Sequence, residues 1–169
     1  MKKTLVALFI CLLTFNSASA QDQTGIFSLS GNINYGTKIE SLGVGLRAQY
    51  GFIDRFRGVL EYKYYIDRHN LSAWGVTADT HYVLGISNSN FAFYPIAGVS
   101  LSRWTNDTGR ADIPNTERHK DSDNRIGLNL GLGFQIGLSE NTFLQIEGKE
   151  ALIKNYSQFV ISAGFMYQF

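Results

Sequence analysis

The chain has 169 residues, 15 basic and 14 acidic, with a formal net charge of +1, 14% aromatic residues and a mean hydropathy of -0.08. That length fits one domain, and the balanced charge gives no reason to expect nucleic acid or a strongly acidic partner. Seventeen glycines beside two prolines exclude collagen-like and disordered compositions, and the apolar residues are spread evenly, as alternating strands would spread them.

Lys2 and Lys3 precede an apolar run over residues 5–13, and Ser17-Ala18-Ser19-Ala20 ends in the small-x-small pattern of a signal-peptidase site. Residues 1–20 are therefore expected to be a removed signal peptide, leaving 21–169 as the mature domain. The run is shorter than the about 20 apolar residues that a membrane-spanning helix needs. Cys11, the single cysteine, follows bulky Ile10 and makes a poor lipid-attachment site. Its loss with the leader leaves no disulfide or thiolate chemistry in the mature chain.

From there the pattern has a period of two, which is the mark of strands. Residues 26–37 set Phe27, Leu29, Ile33 and Tyr35 against Ser28, Ser30, Asn32 and Asn34. After a turn at 38–41, residues 42–52 set Leu42, Val44, Leu46, Ala48, Tyr50 and Phe52 against Gly43, Gly45, Arg47, Gln49 and Gly51. A tight turn, Ile53-Asp54-Arg55, leads to residues 56–66, where Phe56, Leu60, Tyr62, Tyr64 and Ile66 oppose Arg57, Glu61 and Lys63. A polar loop is expected over 67–73.

Residues 74–86 carry Trp74, Val76, Ala78, Tyr82, Leu84 and Ile86 opposite Thr77, Asp79 and His81, and Ser87-Asn88-Ser89-Asn90 is turn chemistry. Residues 91–103 set Phe91, Phe93, Ala97, Val99 and Leu101 against Gly98, Ser100 and Ser102. Pro95 lies within this strand and predicts a bulge or a strand start, because it has no N–H for the ladder. A long charged loop is expected over 105–124. Beyond it, residues 126–138 alternate Ile, Leu and Phe with Gly, Asn and Gln. Residues 143–153 repeat the scheme less cleanly, with Glu150 on the apolar parity and Phe143 on the polar one. The last strand, 158–169, places Phe159, Ile161, Ala163, Phe165, Tyr167 and Phe169 together, with Val160 and Met166 as exceptions on the polar side.

Eight such segments of about eleven residues, rising about 3.3 Å per residue at about 40° tilt, span on the order of 28 Å, the height of an outer-membrane barrel's apolar band. Short even-numbered connections, with the longest among the odd ones, suit the same architecture, with the amino terminus on the periplasmic side. The expected fold is all-β: an eight-stranded antiparallel up-and-down transmembrane barrel. Its glycine-rich polar face would make a poor soluble surface. As the lining of a narrow lumen it leaves room for the few long residues, Arg47, Arg57, Glu61, Lys63, Asp79, His81, Glu147 and Lys149. Aromatic residues gather at both strand ends as two interfacial girdles.

The leader, the eight alternating segments and the terminal aromatic pattern resemble the small outer-membrane barrel family that includes OmpX and the OmpA transmembrane domain. Stretches such as SLSGNINYG, ESLGVGLRAQY, YPIAGVSL and GLNLGLGFQI are similar to the outer-membrane β-barrel domain proteins of Bacteroidetes. The resemblance covers essentially the whole mature chain. It implies integral outer-membrane localisation, and implies that Phe165, Tyr167 and Phe169 form the signal read by the barrel-assembly machinery. No peptidoglycan-binding domain is expected after Phe169, a departure from full-length OmpA.

Candidates for chemistry are few. Asp79 and His81 occupy adjacent same-side positions and read as buried lining rather than an acid/base pair. The lumen charges read as a paired network, since uncompensated charge in a narrow interior is costly. His69, His119 and Ser122 match no catalytic spacing, so no enzyme is expected and no cofactor is implied. Asp112, Asp121 and Asp123 lack a calcium-loop pattern, so no metal site is assigned. Arg110, Asp112, Glu117, Arg118 and Lys120 mark the long loop as the candidate recognition surface. The expected role is a monomeric surface-interaction barrel in contact with the bilayer and lipopolysaccharide. A narrow channel is the alternative, and a lipid-modifying enzyme a more distant one.

Overall fold

The computed structural model describes residues 24–68, 71–85, 89–107, 120–153 and 157–169, so the signal-peptide reading lies outside the described residues. Eight antiparallel strands form among them. They are β1 (Phe27–Gly36), β2 (Ser41–Ile53), β3 (Phe56–Arg68), β4 (Leu71–Tyr82, resumed after Val83 as Leu84–Gly85), β5 (Phe91–Asp107), β6 (Lys120–Gly137), β7 (Thr142–Ile153) and β8 (Gln158–Gln168). Each strand pairs with its neighbours in sequence, and β1 pairs with β8, with Ser28 opposite Gln168 and Gly36 opposite Val160. The sheet is therefore a closed barrel without edges, so strand backbone polar groups find their partners in a neighbouring strand, as the hydrocarbon core of a membrane demands.

Burial follows the pleat. Along β1 the exposed and buried positions alternate without exception from Phe27 to Gly36. Leu46 is 72% exposed and Ile126 73%, whereas Glu61 and His81 are 0% exposed. Large apolar side chains thus cover the outside on every strand. A soluble monomer rarely exposes an apolar patch beyond a few hundred Å², so this surface belongs in lipid. Glu150 points outward and Phe143 inward, as their parities predict.

Aromatic contacts mark the two ends. Phe52 stacks near Phe56 (6.5 Å), Phe56 on Tyr82 (4.8 Å) and Phe27 near Phe169 (6.0 Å) at the end where β1 starts and β8 finishes; Tyr62 and Trp74 meet at 6.2 Å toward the other.

Several boundaries differ from the sequence expectation. The polar loop expected over 67–73 is mostly strand, because β3 runs to Arg68 and β4 begins at Leu71, with Arg68 opposite Leu71 across a register shift. The long loop expected over 105–124 is shorter: the β5–β6 ladder continues to Asp107 opposite Lys120, leaving residues 108–119. Lys120 is thus a strand residue. These rungs are polar on both faces, so no alternation announces them.

The bulge expected at Pro95 is absent from β5, whose register against β6 runs unbroken through Tyr94–Gly133, Pro95–Leu132 and Ile96–Gly131. The interruption falls on the neighbour instead. β4 stops at Tyr82 and resumes at Leu84, opposite the residue pair Tyr94 and Pro95, while on its other side the Val83 N–H bonds the carbonyl of Arg55 at 2.7 Å, next to the Phe56–Tyr82 rung. The proline's missing donor is accommodated by a gap in the facing strand.

Candidate functional site: the lumen network

Strands of a closed eight-stranded barrel leave an interior just wide enough for side chains to fill. All eight charged and histidine residues predicted for the lining lie inside and are buried. Small residues make the space. A Cβ added at Gly131 would lie 2.7 Å from Lys149 Cγ, and one at Gly45 would lie 2.8 Å from Asn32 Oδ1.

Glu61 is the hub. Its Oε1 accepts from Asn32 Nδ2 at 2.7 Å and Arg47 Nη2 at 3.3 Å, and its Oε2 from Lys149 Nζ at 3.0 Å and Thr77 Oγ1 at 3.3 Å. Lys63 Nζ adds an ion pair to Oε2 at 3.4 Å. Arg47 bridges to the second carboxylate, Glu147, with Nη1 at 2.6 Å from Oε1. Lys149 binds three carboxylates at once, Glu61 at 3.0 Å, Asp79 at 3.1 Å and Glu147 at 3.5 Å. The centre of the barrel is therefore one connected ionic cluster drawn from strands β2, β3, β4 and β7. Taking so many charges out of water is tolerable only because each carboxylate meets cations and neutral donors together.

Asp79 and His81 do not share a partner despite their spacing. Asp79 Oδ1 accepts from Asn129 Nδ2 at 2.8 Å while Oδ2 takes Lys149. His81 instead lies parallel to the ring of Tyr94, with centroids 4.7 Å apart, and its Nδ1 accepts from Arg57 Nε at 3.4 Å. Arg57 has no carboxylate among the described residues within ion-pair distance. Its guanidinium rests 4.7 Å from the Tyr94 ring centre and donates to Gln135 Oε1 at 2.8 Å.

Tyr94 escapes the sequence reading, although the parity of β5 places it inward. Its hydroxyl donates to Glu147 Oε1 at 3.0 Å, and with Val83, Ala92 and Ile96 it forms an apolar plug near the end where β1 starts and β8 finishes. A second plug, Ile39, Tyr65, Ala73 and Trp104, closes toward the other end. Ile39 comes from the first connection, where Glu40 adopts a left-handed φ of 50° that turns the chain over the mouth. A lone isoleucine in a polar turn is the one signal that could have revealed it. The lumen is not uniformly polar, as its glycine-rich face suggested, but ionic in the middle and aromatic toward both ends.

Of the candidate recognition residues, Arg110, Asp112, Glu117 and Arg118 lie outside the described residues, as do His69 and His119. Asp123 and Arg125 form an ion pair at 3.0 Å near the loop end, with the guanidinium 5.2 Å from the Trp104 ring centre. Among the described residues no group of three His, Cys, Asp or Glu could hold a metal ion. Phe165, Tyr167 and Phe169 all face outward, with Tyr167 and Phe169 in edge contact at 5.0 Å.

The family model described as outer membrane protein beta-barrel domain matches residues 7–169. The chain belongs to that family. Solved structures agree on the fold. The N-terminal β-barrel domain of Pseudomonas aeruginosa OprF superposes with a TM-score of 0.72 at 17% identity, covering 88% of this chain and 100% of that one. Neisserial surface protein A gives 0.66 at 17% identity, covering 85% and 96%. Ail, the attachment invasion locus protein of Yersinia pestis, gives 0.62 at 12% identity, covering 86% and 99%. No curated protein sequence matches significantly. This family member is an integral outer-membrane β-barrel protein, and the apolar exterior and closed sheet give the physical reason.

Proposed function

We propose that the protein is a rigid outer-membrane anchor whose loops contact other cells, host molecules or phage, and that it is neither an enzyme nor an open channel. The supporting observation is the filled lumen: Glu61 is 0% exposed and is held by Arg47, Lys63 and Lys149 between two apolar plugs. With the interior occupied, recognition falls to what projects from the barrel. Residues 108–119 form the longest connection, well beyond the roughly four to six residues of an ordinary one. They carry Arg110, Asp112, Glu117, Arg118 and His119, a mixture suited to salt-sensitive contact with lipopolysaccharide or a charged glycan. Ail, similar in fold, has a structure in complex with the heparin analogue sucrose octasulfate. In this reading the barrel-assembly machinery meets the outward aromatics of β8 during biogenesis, and the mature protein is a monomer in the bilayer.

The test replaces residues 108–119 by a four-residue turn, which spares the Asp107–Lys120 rung. The barrel is expected to keep its heat-modifiable gel mobility while cell adhesion and binding to immobilised heparin fall at least tenfold. Unchanged adhesion and binding would move recognition away from this loop. Steady porin-like steps in planar bilayers would instead favour the channel reading.

A further inference from the structure

β5 and β6 are 17 and 18 residues long, where the other full strands run 10–13. Their ladder therefore outruns the barrel. β6 is paired on both sides up to the rung Gly127–Ile153, and beyond it, on the loop side, only β5 accompanies it, out to Asp107–Lys120. β5 in turn is backed by β4 as far as the rung Leu71–Asn106. Residues 120–126, about 20 Å of strand at about 3.3 Å per residue, thus form a sheet edge that is supported from behind and faces no other strand among the described residues.

The direction of the backbone groups on this edge follows from the turn at the other end of β6. The Gly137 N–H bonds the carbonyl of Asn90 on the β5 side, and the Leu138 N–H bonds that of Thr142 on the β7 side. Both ladders of β6 run without a register shift, so its even-numbered residues aim N–H and C=O toward β7 and its odd-numbered ones toward β5. Lys120, Ser122 and Asn124 consequently present their N–H and C=O groups, spaced two residues apart, beyond the last described rung with β7. Such a row is matched in full by another extended backbone. The rungs behind it are braced: Trp104 lies opposite Asp123, and Arg125 sits 5.2 Å from the Trp104 ring centre while pairing with Asp123 at 3.0 Å. The Asp123 side chain is still 64% exposed, so a basic residue on an incoming strand would meet it. That charge makes the edge selective rather than generally adhesive.

We propose that residues 120–126 are a docking edge for an extended peptide segment of a partner protein, which adds to β6 as a further strand and sets a lysine or arginine against Asp123. Backbone bonds to Lys120, Ser122 and Asn124 hold the segment, and the carboxylate selects it. The edge lies on the stem below residues 108–119 and uses none of them, so it is independent of recognition by that loop.

The probe is a synthetic peptide, acetyl-Thr-Val-Thr-Lys-Thr-Val-Thr-amide, added to the isotope-labelled protein refolded in detergent. Amide hydrogen exchange at Ser122 and Asn124 is expected to slow at least fivefold at saturation, while exchange at Asp123 and Arg125, whose N–H groups point to β5, stays within twofold. The same peptide N-methylated at every residue should cause no slowing, because it has no N–H to offer an edge. Asn124→Pro deletes one edge donor and leaves the β5 ladder intact, an edge position where proline is tolerated. It should weaken the peptide at least tenfold and keep the urea midpoint. Asp123→Lys should weaken it at least threefold and favour instead the peptide that carries glutamate in place of lysine. The protein with residues 108–119 replaced by a turn should respond as the parent does. The proposal is overturned by no saturable slowing at Ser122 and Asn124, by equal binding of the N-methylated peptide, or by binding unaltered in Asn124→Pro or in Asp123→Lys. Loss of binding in the loop-replaced protein would overturn it too, and would assign the peptide to the loop.

Discussion

The ring of Tyr94 lies over the bare Cα of Gly133, its cross-strand partner, in space that a Cβ at that glycine would occupy. This pairing of the largest fully buried side chain among the described residues with a glycine lets the tyrosine reach inward to Glu147 while staying stacked on His81. An aromatic covering a strand glycine in this way offsets the weak packing that glycine otherwise brings to a sheet.

Gly133→Ala should therefore force the ring aside and lower stability by about 1–3 kcal/mol, the usual cost of overpacking. The midpoint of urea unfolding, followed by heat-modifiable gel mobility, measures it. Gly31→Ala, at a lipid-facing position with nothing within 4 Å of the added methyl, is the control and should hold or raise the midpoint. Equal effects at both positions would show that the Tyr94 contact is not tight.

Removing only the hydroxyl tests the other end of the same side chain. Tyr94→Phe keeps the stack on His81 and the Arg57 contact but takes a donor from Glu147, whose Oε2 already has no hydrogen bond. A hydrogen bond to a charged group contributes about 1.5–3 kcal/mol, and a loss of that order is expected. A midpoint indistinguishable from the parent protein would mean that Arg47 and Lys149 suffice for Glu147.

Glu61→Gln leaves Arg47, Lys63 and Lys149 facing one carboxylate fewer, and breaking a buried ionic cluster in this way costs about 3–5 kcal/mol. Adding Lys63→Met removes one cation and should return part of that loss. The double variant must therefore be more stable than the single one. A double variant that is less stable would show that Lys63 acts through packing of its aliphatic stem rather than through its charge.

Replacing both Tyr167 and Phe169 by serine strips the aromatic pair from the end of β8 and exposes Phe27, which packs near Phe169. Secretion should proceed, while the amount of heat-modifiable protein in the outer-membrane fraction falls severalfold. Normal levels there would remove the terminal aromatics from the assembly step.

The period of two, read locally, determined the strands, the lipid-facing and lumen-facing sets, and even the inverted pair Phe143 and Glu150. It does so because the pleat alone alternates side chains, whatever the strand pairs with. Where both faces are polar that signal vanishes, so the extra rungs out to Asp107 and Lys120 were invisible. Only the closed barrel decided who meets whom across the lumen. Lys149 and Glu61 are 88 residues apart, and Arg47 and Glu147 are 100 apart. Their meeting depends on the stagger that closure imposes between strands, and on the side-chain lengths that fill what remains. The same closure brings Ile39 and Trp104 into one plug, and aligns Tyr65, Ser100 and Gln158 around one cavity. Parity places a residue on a face; the height at which it meets the opposite wall is a property of the whole barrel.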